Sequence, residues 1–337
     1  MGKQNLPWIE KYRPRKTDDI IQHDSIRTVC NNIKQQKNMP NMLFHGPPGT
    51  GKTSVAFALS IELYGPRVVQ DRVLELNASD DRGIKIVRNK IIKFSKMNMG
   101  EPDPNYPCPP FRIIILDEVD AMTKDAQAAL RKVMEDSIKT TRFILICNSE
   151  NGIIDSIKSR CTKFTFSTIS IENITKQMKK ISDIENIEID NDSLILIAKI
   201  RKGDIRSCIN TLQNLKYRNK KINIQDVKDI TSYIDSDDIK HLWVPVITGD
   251  YKKIYKQVGI IIRNAYPIEY IFSAIMINID NNKTLNDNEK ASIYEHIAHA
   301  ERRTVEGGYD FIQLLAVLTY INGLVMKKTA IMKILTF

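Results

Sequence analysis

Along the first half of the chain, short apolar runs alternate with stretches whose apolar residues return every three or four positions. The runs at 41–45 (NMLFH), 72–76 (RVLEL), 111–116 (FRIIIL), 142–147 (RFILIC) and 162–166 (TKFTF) have strand length. Between them, near 52–64, 82–97, 123–137 and 153–159, the period is helical. Strands separated by helices make a parallel α/β sheet covered on both faces. Residues 98–110 carry five prolines and are predicted to form an exposed loop. After Ser167 the strand pattern stops. Three or four helical patterns fill 170–231, broken at Gly203-Asp204, and helical spacing continues beyond Ser236, as in 268–279 and 311–325. The predicted organisation is a sheet domain over 1–167, a small helical lid over 168–232 and an all-α domain over 233–337.

Composition changes this picture little. At 337 residues, 42% hydrophobic and 27% charged, the chain is ordinary for a globular protein of two or three domains. No apolar run reaches the ~18 residues of a membrane span, and the segment Met1 to Pro7 lacks the apolar core of a signal peptide. A soluble, intracellular protein with no membrane partner is expected. The five cysteines are scattered without a CxxC pair, which suits a reducing compartment and argues against a zinc site. His296 and His299 can share a helix face but have no further ligand nearby, so structural or solvated roles are expected.

Charge adds a direction. The net charge is +10, of which +7 lies in residues 1–167. That excess fits a polyanionic partner, and it equally fits plain solubility.

The chemistry begins with Gly46-Pro47-Pro48-Gly49-Thr50-Gly51-Lys52-Thr53, between a predicted strand and a predicted helix. This is the P-loop pattern in the context it requires. Its glycines let backbone N–H groups wrap phosphates, and the helix N-terminus adds a favourable dipole. Lys52 can reach the β- and γ-phosphates of ATP, and the Thr53 hydroxyl can ligate Mg²⁺. The run 113–116 is an apolar strand that ends in Asp117-Glu118. Asp117 would hold the Mg²⁺ shell, and Glu118 would polarise the attacking water.

On the helix predicted near 82–97, Ile84, Val87, Ile91 and Phe94 fall on one face at 100° per residue. Arg82, Lys85, Lys93 and Lys96 fall nearly opposite, with Arg88 on the flank. Such a stripe can follow a phosphate backbone without reading sequence. From the pattern alone, a solvated amphipathic helix is the more ordinary reading. The scattered aromatics offer no base-stacking platform, and Trp8 is expected to be structural.

Several further segments resemble the replication factor C small subunits. Trp8-Ile-Glu-Lys-Tyr-Arg-Pro14 resembles the family's W-V-E-K-Y-R-P opening, and 74–83 (LELNASDDRG) its L-E-L-N-A-S-D stretch. The run 117–123 (DEVDAMT) is similar to D-E-A-D-S-M-T, while Ser159-Arg160-Cys161 and Gly203-Asp204-Ile205-Arg206 match S-R-C and G-D-(M/L)-R. The resemblance is dense over 7–215 and diffuse beyond. Val119 stands where alanine is usual, and 19–24 lacks a glycine many members carry.

What the resemblance implies is an AAA+ fold: a P-loop α/β domain, a helical lid and an all-α collar that assembles subunits. Asn148 would be sensor 1, orienting water near the γ-phosphate, and Arg206 sensor 2, touching that phosphate in cis. Arg160 would be an arginine finger acting in trans on a neighbour's ATP. The positions of Arg82 and Arg88 would lie on an inner wall around the duplex. The implied machine is a nuclear hetero-pentamer of related AAA+ subunits that opens a PCNA-type sliding clamp and loads it onto primer–template DNA. Two other readings stand beside it: a nucleotide-binding scaffold with little hydrolysis, and a homo-oligomeric DNA motor. The complete set of Lys52, Asp117, Glu118 and Asn148 weighs against the first, and the opening signature against the second.

Overall fold

A computed structural model describes residues 6–20, 24–78, 84–97, 100–218, 221–234, 236–282 and 285–335; side chains of 24–25, 84–88, 236–237 and 328–335 are outside the description. By contact the chain divides into two units, Met1–Asn223 and Ile224–Phe337.

The first unit opens with the short helix α1 (Trp8–Lys11), a 3-10 turn at Thr17–Asp19 and helix α2 (Asp24–Gln36). The sheet strands are β1 (Met42–His45), β2 (Val73–Asn77), β3 (Arg112–Asp117), β4 (Thr141–Cys147) and β5 (Thr162–Thr165). Between them run α3 (Lys52–Arg72), α4 (Ile84–Lys96), α5 (Lys124–Asp136) and α6 (Asp155–Lys158). All pairings are parallel, in the order β2-β3-β4-β1-β5. Alternation along the strands divides the core in two. Met42, Phe44, Ile113, Ile115, Ile144 and Ile146 pack with Val55, Leu59 and Leu63 of α3 and Ile33 of α2. Their neighbours Leu43, Ile114, Leu116, Phe143 and Leu145 pack with Ile91 of α4 and with Leu130, Val133 and Met134 of α5. Burial on both faces is why these strands read as continuous apolar runs.

Three features depart from the pattern reading. Helix α2 has no predicted counterpart, because its stripe of Ile26, Cys30 and Ile33 is narrow and diluted by Asn, Gln and Lys; those three residues are nevertheless buried. Helix α3 runs past residue 64, but Gly65 at φ 75° breaks it and Pro66 opens a second segment, so the expected stop is a kink. The proline-rich loop is not wholly exposed. Pro109 is buried, the Cys108 N–H donates to the Leu63 carbonyl at 2.9 Å, and Tyr106 packs so closely that a Cβ on Gly65 would lie 2.5 Å from its ring. Prolines remove backbone donors, yet their rings remain apolar enough to pack.

Three helices complete this unit: α7 (Ile171–Ile184), α8 (Asn191–Ile200) and α9 (Ile205–Lys216), capped at their N-termini by Ser170, Asp190 and Asp204. They fill the stretch where the pattern predicts a lid, and that name is kept for them.

The second unit comprises α10 (Ile224–Thr231), α11 (Ser236–Thr248), α12 (Tyr251–Arg263), α13 (Ile268–Asp280), α14 (Asp287–Val305) and α15 (Asp310–Leu335). Helix α10, placed in the lid by the sequence pattern, falls with this unit by contact. The core is built from helical repeats such as Ile254, Val258 and Ile261 of α12 and Ile271, Ile275 and Ile279 of α13. Asn286 and Glu289 close a reciprocal capping box at the start of α14. Within α15, Asp310–Lys327 meets the length and mean hydropathy of a membrane span although it holds no unbroken apolar run of that length. Gln313, Thr319 and Asn322 interrupt it, and Leu314, Val317, Leu318 and Ile321 lie in this unit's core. His296 stacks on Tyr320 with ring centroids 3.6 Å apart.

Candidate functional site

The loop between β1 and α3 is shaped by glycines that no other residue replaces without strain. Gly49 and Gly51 hold φ values of 71° and 93°, and a Cβ on Gly46 would come within 2.1 Å of the Phe166 carbonyl oxygen. Lys52 opens α3 and is buried. Its ammonium donates to the carbonyls of Gly46 at 2.7 Å and Pro47 at 2.8 Å, and to Asn148 Oδ1 at 3.1 Å. Burial lowers the Lys52 pKa, against the opposing pull of Asp117. One residue on, the Thr53 hydroxyl donates to Asp117 Oδ2 at 2.7 Å. The motifs of β1, β3 and β4 thus converge at the carboxyl ends of adjacent parallel strands, where open α/β sheets bind ligands.

Two details of this convergence were not visible in the sequence. Glu118 occupies the left-handed region at φ 55° and ψ 40°, and Asp117 Oδ1 accepts its backbone N–H at 2.9 Å. A non-glycine residue held there is uncommon and clusters at functional sites. Asp120 Oδ2 accepts the backbone N–H groups of Asn148 at 2.9 Å and Ser149 at 3.1 Å, so the turn after β3 orients the end of β4. The second aspartate of the DEVD run is the signal that marks Asp120.

A single cavity is lined by Pro48, Gly49, Thr50, Gly51, Lys52 and Thr53 together with Asp117, Glu118, Asn148 and Arg206. Arg206 lies in the first turn of α9, whose N-cap Asp204 accepts the Ser207 N–H at 3.1 Å and its hydroxyl at 2.7 Å. That same carboxylate sits against the loop: a Cβ on Gly49 would be 1.8 Å from Asp204 Oδ1. The N-terminal segment adds Ile9, Tyr12, Pro14 and Ile20 to the lining, with Glu10, Arg13 and Asp19 among them, and the lid adds Ile209. Pattern reasoning assigned these residues no site role, although they lie in and after the WIEKYRP run. The lining therefore combines phosphate chemistry from the P-loop with apolar side chains from the N-terminal segment and the lid, as a nucleotide site requires.

Arg160 lies outside this cavity. Its guanidinium pairs with Glu135 of α5 at 2.6 Å and donates to the Ser156 carbonyl at 2.7 Å, with the side chain 39% exposed. Of the basic stripe, Arg82 lies outside the described residues. Lys85 and Arg88 fall on α4, but their side chains are likewise outside the description. Further along α4, Ile91 is buried while Lys93 and Lys96 are exposed.

Residues 42–169 match the ATPase family associated with various cellular activities (AAA), and residues 234–320 match the replication factor C C-terminal domain. The chain is 40% identical to replication factor C subunit 2 of Oryza sativa subsp. japonica, covering 92% of each. It is 38% identical to subunit 2 of Saccharomyces cerevisiae, over 94% of this chain and 93% of that protein. With subunit 4 of Homo sapiens the identity is 36%, over 92% and 86%. The tract 107–148 resembles this same subunit, called the second in yeast and the fourth in animals. Among solved structures, the Thermotoga maritima RuvB Holliday junction branch migration motor superposes with a TM-score of 0.51 at 17% identity, covering 69% of this chain and 79% of that one, a likeness of fold alone.

Proposed function

The chain belongs to the replication factor C small-subunit family, and from that premise we propose how its residues drive a clamp loader. As an AAA+ ATPase it acts in a hetero-pentamer of related subunits that opens a PCNA-type clamp and loads it onto primer–template DNA. The observation that carries the reading is the meeting of three distant motifs, with Thr53 2.7 Å from Asp117 and Lys52 3.1 Å from Asn148.

The loop N–H groups and Lys52 bind the phosphates, and the apolar wall receives the adenine. Thr53 and Asp117 present two hard oxygen donors at one point beside the phosphates, a fit for Mg²⁺. Bound there, that ion would neutralise charge that develops during phosphoryl transfer. Glu118 polarises the attacking water, Asn148 orients it and Arg206 contacts the γ-phosphate. Arg160 serves the neighbour's site, a role supported by its exposure and its place outside its own cavity. Lys85 and Arg88 of α4, together with Arg82 before it in the sequence, follow the duplex backbone. DNA-triggered hydrolysis then releases the clamp. The eukaryotic relatives support a nuclear location.

Native mass spectrometry of the tagged protein, purified gently from its own cells, tests the assembly. A five-chain particle with four related AAA+ partners is expected, and a ring of identical chains would leave only the ATPase reading. In the assembled particle, Arg160→Ala should keep this chain's ATP binding and lower total hydrolysis; undiminished hydrolysis would remove the finger assignment.

A further inference from the structure

Glu185 caps the C-terminus of α7, and its side chain is only 7% exposed. Three donors converge on it. Lys11 and Tyr12, from the N-terminal segment, both reach Oε1, and Lys216 of α9 reaches Oε2 at 2.5 Å. The attachment continues along α9, where Gln213 Oε1 accepts the Trp8 N–H at 3.1 Å and the Lys216 ammonium lies 5.2 Å from the centre of the Trp8 ring. Residues 8–12 are thereby fastened to the lid.

A few residues later the same segment is fastened elsewhere. The Arg13 guanidinium stacks 5.1 Å from the Phe57 ring centre on α3, and Thr17 donates to Glu62 of α3 through its N–H at 3.2 Å and its hydroxyl at 2.7 Å. One glutamate thus anchors the start of the segment to the lid and another anchors its end to the sheet layer. Ile9, Tyr12 and Pro14, which line the cavity together with the P-loop, fall within this doubly anchored segment.

We propose that Glu185 is a positioning residue of the nucleotide site. It ties the purine-side wall to the lid, so that base contact depends on that tie. The inference rests on the reading of the cavity as an ATP site. It separates the two ends of the ligand: the phosphate end is held by the P-loop and Arg206, whereas the base end depends on the Glu185 anchor. A carboxylate that binds two donors from the segment and one from α9 is the shared element.

The test uses the full chain with Trp243→Phe, which leaves Trp8 as the one tryptophan of the two. Binding of ATP and of inorganic triphosphate is measured by calorimetry, and Trp8 accessibility by acrylamide quenching. Glu185→Gln keeps the shape and removes the charge; it should weaken ATP by about tenfold, the scale of a lost charge-assisted bond. Triphosphate affinity should stay constant while Trp8 quenching rises. Lys216→Met, a more exposed position, should follow the same pattern at about threefold, and it carries the test if the glutamine variant does not fold. Unchanged ATP affinity, with or without a change in quenching, would overturn the coupling, as would equal losses for ATP and triphosphate. Failure of the parent protein to bind either probe would instead overturn the nucleotide-site reading beneath it.

Discussion

At the residue scale, the site depends on backbone conformations that side chains must tolerate. Glu118 carries the cost of a left-handed conformation, roughly 1–2 kcal/mol for a residue with a Cβ, at the turn where β3 delivers its two carboxylates. Replacing it by glutamine keeps the shape and removes the base. ATP affinity should hold, and steady-state hydrolysis should fall by at least about a hundredfold; hydrolysis at the parent rate would refute the assignment. Gly49 is constrained twice, by its φ of 71° and by Asp204, whose Oδ1 would lie 1.8 Å from an added Cβ. That carboxylate cannot simply swing away, because it caps α9 through Ser207. Gly49→Ala should therefore cost about 1–3 kcal/mol, combining backbone strain with a weakened cap. Thermal denaturation would read that loss as a lower Tm, and an unchanged Tm would show that the lid gives way without cost.

At the element scale, the helices that frame the sheet do more than cover it. Helix α5 carries Gln127, which is fully buried and donates to the Met122 carbonyl at 3.2 Å and the Gly152 carbonyl at 2.7 Å. Its Oε1 accepts the Ile154 N–H at 2.9 Å, so one side chain joins the turn after β3 to the segment that leads into α6. A buried amide with donors and acceptor all paired is specific to its place, since any substitute strands a polar partner. Helix α4 has the opposite design, with Ile91 in the core and lysines at 93 and 96 in solvent. If its basic face follows a duplex, the triple change Arg82→Ala, Lys85→Ala, Arg88→Ala should weaken DNA binding. The plot of log affinity against log salt should flatten by about 2–3 units, near 0.9 per lost phosphate contact. Constant affinity and slope would mark the stripe as solvated surface.

At the scale of the whole molecule, the two units hold separate cores, and the first gathers the sheet, the lid and the N-terminal segment. Glu185 binds the last two together. Burial would raise its pKa, but hydrogen bonds from Lys11, Lys216 and Tyr12 outweigh burial and lower it from 4.5 to about 2. A carboxylate with a depressed folded-state pKa stabilises fully above its unfolded value and loses that stabilisation as pH falls through the folded one. Wild type should exceed Glu185→Gln in unfolding free energy by on the order of 2–3 kcal/mol near pH 6. The gap should close between about pH 4.5 and pH 2, measured by urea denaturation across that range; a gap independent of pH would remove the charge from the explanation.

The strands β1, β3 and β4 were legible because parallel strands buried on both faces must be apolar throughout, and the P-loop because phosphate binding restricts both residue type and spacing. Lys52, Thr53 and Asp117 could therefore be named from motif and spacing, and Asn148 from the family resemblance. Helix α2 stayed hidden because a stripe of three buried residues, Ile26, Cys30 and Ile33, is too thin to stand out from polar neighbours. The apolar wall of the cavity was equally silent, since Ile9, Tyr12 and Pro14 are ordinary residues until α1 docks. Local pattern determined the sheet, its helices and the phosphate end of the site, because those properties depend on neighbours a few residues away. Tertiary structure alone decided that Glu185 meets Lys11, 174 residues distant, and that Asp204 closes on Gly49. Such pairings follow from how separate elements pack, and a single sequence carries no period or spacing that records them.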